Sequence, residues 1–155
     1  MPAAFRAYTI SLLWLRKLFA WTLAVPGTIA NRTRVLKQVF GPEVVPKGYA
    51  LQAGGLIGLR PHQFLATSAD LQALNAHLPD ISTRYPELQL PVQILVGTDD
   101  RVLSWQAQGQ TLLTQLPTAT LQQVPGSGHM LPVTQPYLTA DFIREVAAAV
   151  FAPKG

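Results

Sequence analysis

Two stretches of this 155-residue sequence gather groups able to move protons: Thr98-Asp99-Asp100-Arg101-Val102 and Gly126-Ser127-Gly128-His129-Met130. An imidazole titrates near neutrality, at about 6.5 in the absence of perturbation, so His129 can take a proton from a nucleophile or water and return it to a leaving group. A carboxylate beside the ring would hold it in one tautomer and stabilise the imidazolium, and Asp99 and Asp100 both offer one. Gly126 and Gly128 leave room for the loop to bring the ring close to a reacting group. Ser127 would complete a superficial serine, histidine and acid set. A serine two residues before the histidine in a loop stands on no strand-to-helix turn and has no evident oxyanion donors, so it is not assigned as a nucleophile. The other histidines, His62 and His77, read as surface groups. The three lack ligand spacing and there are no cysteines, so neither a metal site nor a cofactor is indicated.

The elements that must position these groups follow from local patterning. Pro91-Val92-Gln93-Ile94-Leu95-Val96-Gly97 is a short apolar run bounded by proline and glycine, the signature of an interior strand of a parallel sheet. The two aspartates stand where that strand gives out, at the carboxyl edge where ligands collect in open α/β sheets. Ser104 is placed to cap a helix from Trp105 to Leu116, with Trp105, Leu112, Leu113 and Leu116 inward and Pro117 closing it. A second strand over 118–125 runs into the histidine loop. From Pro136, Leu138, Phe142, Ile143, Val146 and Val150 recur at helical spacing and predict a final helix covering one side of the sheet. Asp100 and His129 are 29 residues apart, enough for one helix and one strand between them, so they are expected to meet at one sheet edge.

Gly97-Thr98-Asp99-Asp100-Arg101-Val102 resembles the G-x-x-D-x-V turn that carries the catalytic acid of α/β-hydrolases, and Pro125-Gly126-Ser127-Gly128-His129-Met130 resembles their G-x-G-H loop. The resemblance is strongest over 86–151 and extends more weakly to about residue 41. It implies that Asp100 rather than Asp99 is the acid and His129 the base of a nucleophile, acid and histidine triad, in that chain order. It also implies an α/β fold, a partial α/β-hydrolase: a helical cap or lid over 1–85, then the last two parallel strands with flanking helices over 86–155. The nucleophile elbow, G-x-S-x-G or its aspartate equivalent, occurs nowhere in the 155 residues. The expectation is therefore the C-terminal half of such an enzyme, with ester-like, epoxide and haloalkane bonds of a small apolar substrate all open and ester chemistry the default.

Hydrophobic residues make up 48% of the chain and charged ones 13%, more apolar than an average soluble domain. The net charge of +4 is uneven: residues 1–42 carry Arg6, Arg16, Lys17, Arg32, Arg34 and Lys37 with no acid, and the remainder is net negative. A basic, apolar N-terminal third fits a secretory or anchoring segment, an interfacial helix drawn to anionic lipid, or a cap whose charges face water. Residues 4–25 read as a helix apolar on nearly every side, interrupted by Arg16 and Lys17, which oppose membrane spanning. The reading adopted is a cap helix that Pro26-Gly27 breaks, with Thr28 capping the next helix and Gly41-Pro42 stopping it. Residues 42–60 read as loop, and Gly54-Gly55-Leu56-Ile57-Gly58 as a connector rather than a nucleotide loop. Arg60-Pro61 opens a third helix with Phe64, Leu71, Leu74 and Leu78 along one side and Pro79 at its end. Beside the hydrolase reading stands a non-catalytic module that attaches to a membrane or partner through its basic N-terminal region. Peripheral membrane contact is expected of residues 4–40, nucleic acid is not expected as a partner, and a cytoplasmic location is expected with secretion or membrane association left open.

Overall fold

The computed structural model describes residues 8–151, which fall into two compact units. The first comprises residues up to Leu36 with Val45–Ser82; the second comprises Lys37–Val44 with the chain from Thr83 onward.

The first unit is helical. Helices α1 (Leu13–Thr22), α2 (Ala24–Phe40), the short α3 (Tyr49–Gln52) and α4 (Pro61–Ser82) follow one another, with a 3-10 turn at Ile57–Leu59. The start of the expected first helix, residues 4–7, lies outside the described residues. The break between α1 and α2 comes at Leu23, earlier than the expected Pro26-Gly27. Pro26 sits in the first turn of α2, where its missing N–H would have had no helical partner in any case, and the Gly27 N–H reaches back to the Leu23 carbonyl at 2.8 Å. Thr28 is inside the helix and not its cap, its hydroxyl donating to the Ala24 carbonyl at 2.7 Å. The stop at Gly41 holds, while the stretch expected as loop contains α3 and the 3-10 turn.

Helix α4 begins at Pro61 as expected but passes through Pro79 to Ser82. A proline one turn from the end removes only one interior hydrogen bond, and the Ser82 hydroxyl donates to the Pro79 carbonyl at 2.7 Å. Its packed side also differs from the apolar stripe expected. Phe64 and Ser68 are buried, whereas Leu74 and Leu78 are exposed. The reason is where its neighbours lie. Tyr8 stacks on Phe64 with centroids 4.8 Å apart and Phe19 tilts against it at 5.2 Å. Arg16 donates to the Ser68 hydroxyl at 3.3 Å, that hydroxyl donates to the Tyr8 carbonyl at 2.6 Å, and Gln72 reaches the Ile10 carbonyl at 2.8 Å. These contacts all engage α4 between Phe64 and Gln72. Ala20 and Ala24 complete the core with Phe64, and burial pushes the Tyr8 phenol up from its ordinary value. Among the described residues no helix is long and apolar enough to cross a membrane.

The second unit holds a two-stranded parallel sheet, β1 (Val92–Gly97) and β2 (Ala119–Val124), in the register Val92↔Ala119 to Gly97↔Val124. The crossover is a π-helical turn (Trp105–Gly109) continuing into α5 (Gln110–Gln115). Ser104 caps it as expected, its hydroxyl accepting from the Ala107 N–H at 3.3 Å. Gly109 is buried and lies against the end of the Leu121 side chain of β2. Leu116 is buried, but Leu113 is exposed rather than inward. Ile94, Leu95 and Val96 are only half-buried, less than an interior strand of a parallel sheet requires. After β2 come a one-turn helix α6 (Leu131–Thr134) and α7 (Pro136–Phe151), with Leu138 and Phe142 half-buried and Ile143 and Val150 exposed.

Because Phe64 joins three elements of the first unit, Phe64→Ala should lower unfolding stability by about 3–5 kcal/mol, read as a shifted midpoint in denaturant. Leu74→Ala, at an exposed position of the same helix, should shift it by less than about 0.5 kcal/mol.

Candidate active site

The site is assembled where β1 and β2 end. Equal strand register leaves Gly97 and Val124 level, so the turns that follow start side by side. The Thr98 N–H donates to the Val124 carbonyl at 3.1 Å, and the Asp99 N–H to the Ser127 carbonyl at 3.0 Å. In the other direction the Gly126 N–H donates to the Thr98 hydroxyl at 2.9 Å. Gly126 has φ +68°, a left-handed conformation that favours glycine. At Gly97 any side chain would run into the Ser127 and Gly128 carbonyl oxygens, so the close approach of the histidine loop depends on glycine at the strand end.

This clamp puts His129 against Asp100. The His129 Nδ1 and the Asp100 Oδ2 are 2.9 Å apart, with the carboxylate 12% exposed and the imidazole 33%. The other carboxylate oxygen, Oδ1, accepts from the Val102 N–H at 2.7 Å and the Leu103 N–H at 2.9 Å. One oxygen is thus fixed by its own turn while the other faces the ring. An ionised carboxylate only accepts hydrogen bonds, so in the neutral ring Nδ1 carries the proton and Nε2 is left as the basic nitrogen. Such an arrangement suits a general base that takes a proton at Nε2 while the carboxylate stabilises the imidazolium.

The two aspartates have different surroundings. Asp99 is exposed and its carboxylate accepts from the Thr98 hydroxyl at 3.0 Å, whereas Asp100 is the one paired with the histidine. Ser127 is 3% exposed and is held through its backbone at the sheet edge. His62 meets Trp21 edge-on with centroids 5.2 Å apart in the first unit, and His77 is exposed on α4. Among the described residues no group of three or more histidines or acids is disposed to hold a metal ion.

A residue the motifs do not disclose is also present. The carboxylate of Glu43 accepts from the Gly128 N–H at 2.9 Å through Oε2 and from the Thr134 hydroxyl at 3.1 Å through Oε1. Its one sequence signal is that it is the first acid after 42 residues without any. Nothing in its spacing connects it to a loop 85 residues on.

Comparison with known proteins supports the architecture. No family model and no curated protein sequence matches the chain. Among solved structures it is similar to one described as a putative lipase from Acinetobacter baumannii AYE, with a TM-score of 0.58 at 21% sequence identity. The match covers 90% of this chain and 49% of that one, so the chain spans about half the length of the structure it resembles. A helix-rich chain with a two-stranded parallel sheet therefore has a fold like part of that protein's.

Gly97→Ala should separate the histidine loop from the strand end. The expected result is a loss of about 1–3 kcal/mol of stability in thermal unfolding, the usual cost of overpacking, together with faster amide exchange at Asp99, whose N–H bonds to Ser127.

Proposed function

We propose that this chain supplies the acid and the histidine of a hydrolase acting on an ester-like bond of a small apolar molecule, with the nucleophile carried on sequence outside these 155 residues. The observation that carries the reading is the 2.9 Å contact between His129 Nδ1 and Asp100 Oδ2, with the second Asp100 oxygen already satisfied by its turn. In this mechanism His129 Nε2 takes the proton of the nucleophile as it attacks the carbonyl, then returns it to the departing alcohol. Asp100 keeps Nδ1 protonated and offsets the charge on the ring. An acid and a base without a nucleophile and oxyanion donors forfeit most of the acceleration, since losing one such donor alone costs roughly 100 to 1,000-fold. The similarity to a structure described as a putative lipase supports a hydrolase-like kind, and ester chemistry is kept as the default beside epoxide and haloalkane cleavage.

The test compares the 155-residue chain, the same chain joined to its upstream coding sequence, and the joined form carrying His129→Ala. The chain alone should not turn over short-chain nitrophenyl esters above buffer. The joined form should be active, and His129→Ala should lower its kcat/KM by about 1,000-fold or more. Activity of the isolated chain that disappears on Ser127→Ala would reject this reading.

A second reading, attachment to an anionic membrane through the first unit, is favoured by one feature. Trp14, Leu18 and Trp21 lie one helical turn apart on the side of α1 away from its packed residues Phe19 and Ala20, and the two tryptophans are 65% and 61% exposed. Lys17, Arg32 and Arg34 are exposed beside this stripe in sequence, with no acid among them. Tryptophan with cationic neighbours suits a lipid interface. Co-sedimentation should be greater with anionic than with neutral vesicles and should fall as salt shortens the screening length below about 8 Å. Equal binding to both vesicles would remove the electrostatic part, and no binding to either would remove the reading.

A further inference from the structure

We propose that Glu43 is a positioning residue for the Asp100–His129 pair, an inference that rests on the pair serving as acid and base. Its two oxygens grip the chain on both sides of His129. Oε2 holds the N–H of Gly128, the residue immediately before the histidine, and Oε1 holds the hydroxyl of Thr134, in the helical turn that follows it. The same short segment closes on the acid. A side chain at Gly41 would strike the Arg101 guanidinium, and one at Gly128 would strike the Gly41 carbonyl, so residues 41–43 lie against both the residue after Asp100 and the residue before His129. Lys37–Val44 belongs to the same compact unit as the sheet and both turns.

The contacts to β1 and those to Glu43 have separate effects. The Thr98 hydroxyl and the Asp99 N–H fix Gly126 and Ser127, the first part of the histidine loop. Beyond Ser127 the turn after the histidine closes on itself through the Val133 and Thr134 N–H groups on the Met130 carbonyl, and Glu43 adds the long-range restraint, on Gly128 before the histidine and on Thr134 after it. A carboxylate accepting from a backbone N–H is among the stronger hydrogen bonds available to a loop. Removing it frees the peptide that sets the direction of the His129 side chain, and an imidazole half-open to water then exchanges its carboxylate partner for solvent.

The test is made on the full chain by long-range proton–nitrogen NMR of the imidazoles at about pH 8, above the ordinary histidine range, together with amide exchange at Gly128. His62 and His77 serve as internal references. In the parent, His129 should be in the Nδ1–H tautomer. Glu43→Ala should shift it to the mixture shown by exposed His77 and speed Gly128 exchange by about tenfold, the effect of losing one hydrogen bond to a charged acceptor. Glu43→Gln, which keeps an acceptor for Gly128, should stay near the parent in both. Should Glu43→Ala not fold, Thr134→Val releases the second contact, together with the bond from the same hydroxyl to the Met130 carbonyl of its own turn, and should give an intermediate tautomer mixture. If Glu43→Ala leaves the Nδ1–H tautomer intact, or Thr134→Val does when it alone can be read, the proposal is overturned and the acid–base pair stands. If the parent itself lacks that tautomer, the pair fails and the proposal with it.

Discussion

Contact between the end of β1 and the loop after β2 governs everything the second unit can do. Gly97 pairs with Val124 in the sheet and has no side chain, so the Ser127 carbonyl can settle over the strand end and accept from the Asp99 N–H. His129 then comes within 2.9 Å of Asp100 without any long-range search by either side chain. In a parallel sheet a slip of one residue would send alternate side chains to opposite faces. Here it would also place a bulky residue where the loop now rests.

The two halves of the pair are restrained in different ways. Asp100 is held by its own turn, through the Val102 and Leu103 N–H groups, so its position is a local property of four consecutive residues. His129 is held at a distance, by a strand end on one side and by Glu43 on the other. A carboxylate fixed locally and an imidazole fixed by tertiary contacts make the histidine the member of the pair more open to change elsewhere in the unit. The first unit is organised on another plan, with Phe64 gathering Tyr8 and Phe19 while the tryptophans of α1 face outward.

Much of the second unit was legible in the sequence because its signals are local. The apolar run 92–96, the Ser104 cap and the prolines at 91, 117 and 136 mark element ends by chemistry that acts within a few residues. The pair itself was legible because both members follow strands in motifs of fixed spacing. Where sequence reasoning failed, a neighbour had decided. Leu74 and Leu78 have the spacing of a buried stripe, but the contacts to α1 and the segment before it fall between Phe64 and Gln72. Pro26 and Pro79 were read as breaks, yet Pro26 sits in a first turn, where a missing N–H has no helical partner to lose, and Pro79 sits in a last turn, where it removes a single hydrogen bond. Glu43 was invisible because its partners lie 85 and 91 residues away, and no local pattern encodes such a contact.

The central claim is that this chain carries the acid and base of a reaction whose nucleophile lies outside it. The most direct measurement is mass-spectrometric location of the covalent adduct formed when the chain joined to its upstream sequence is treated with a fluorophosphonate, a reagent that reacts with an activated serine. The account predicts one adduct, on a serine upstream of these 155 residues, whose formation is lost in the His129→Ala form. An adduct on Ser127, or one formed equally well without His129, would contradict it.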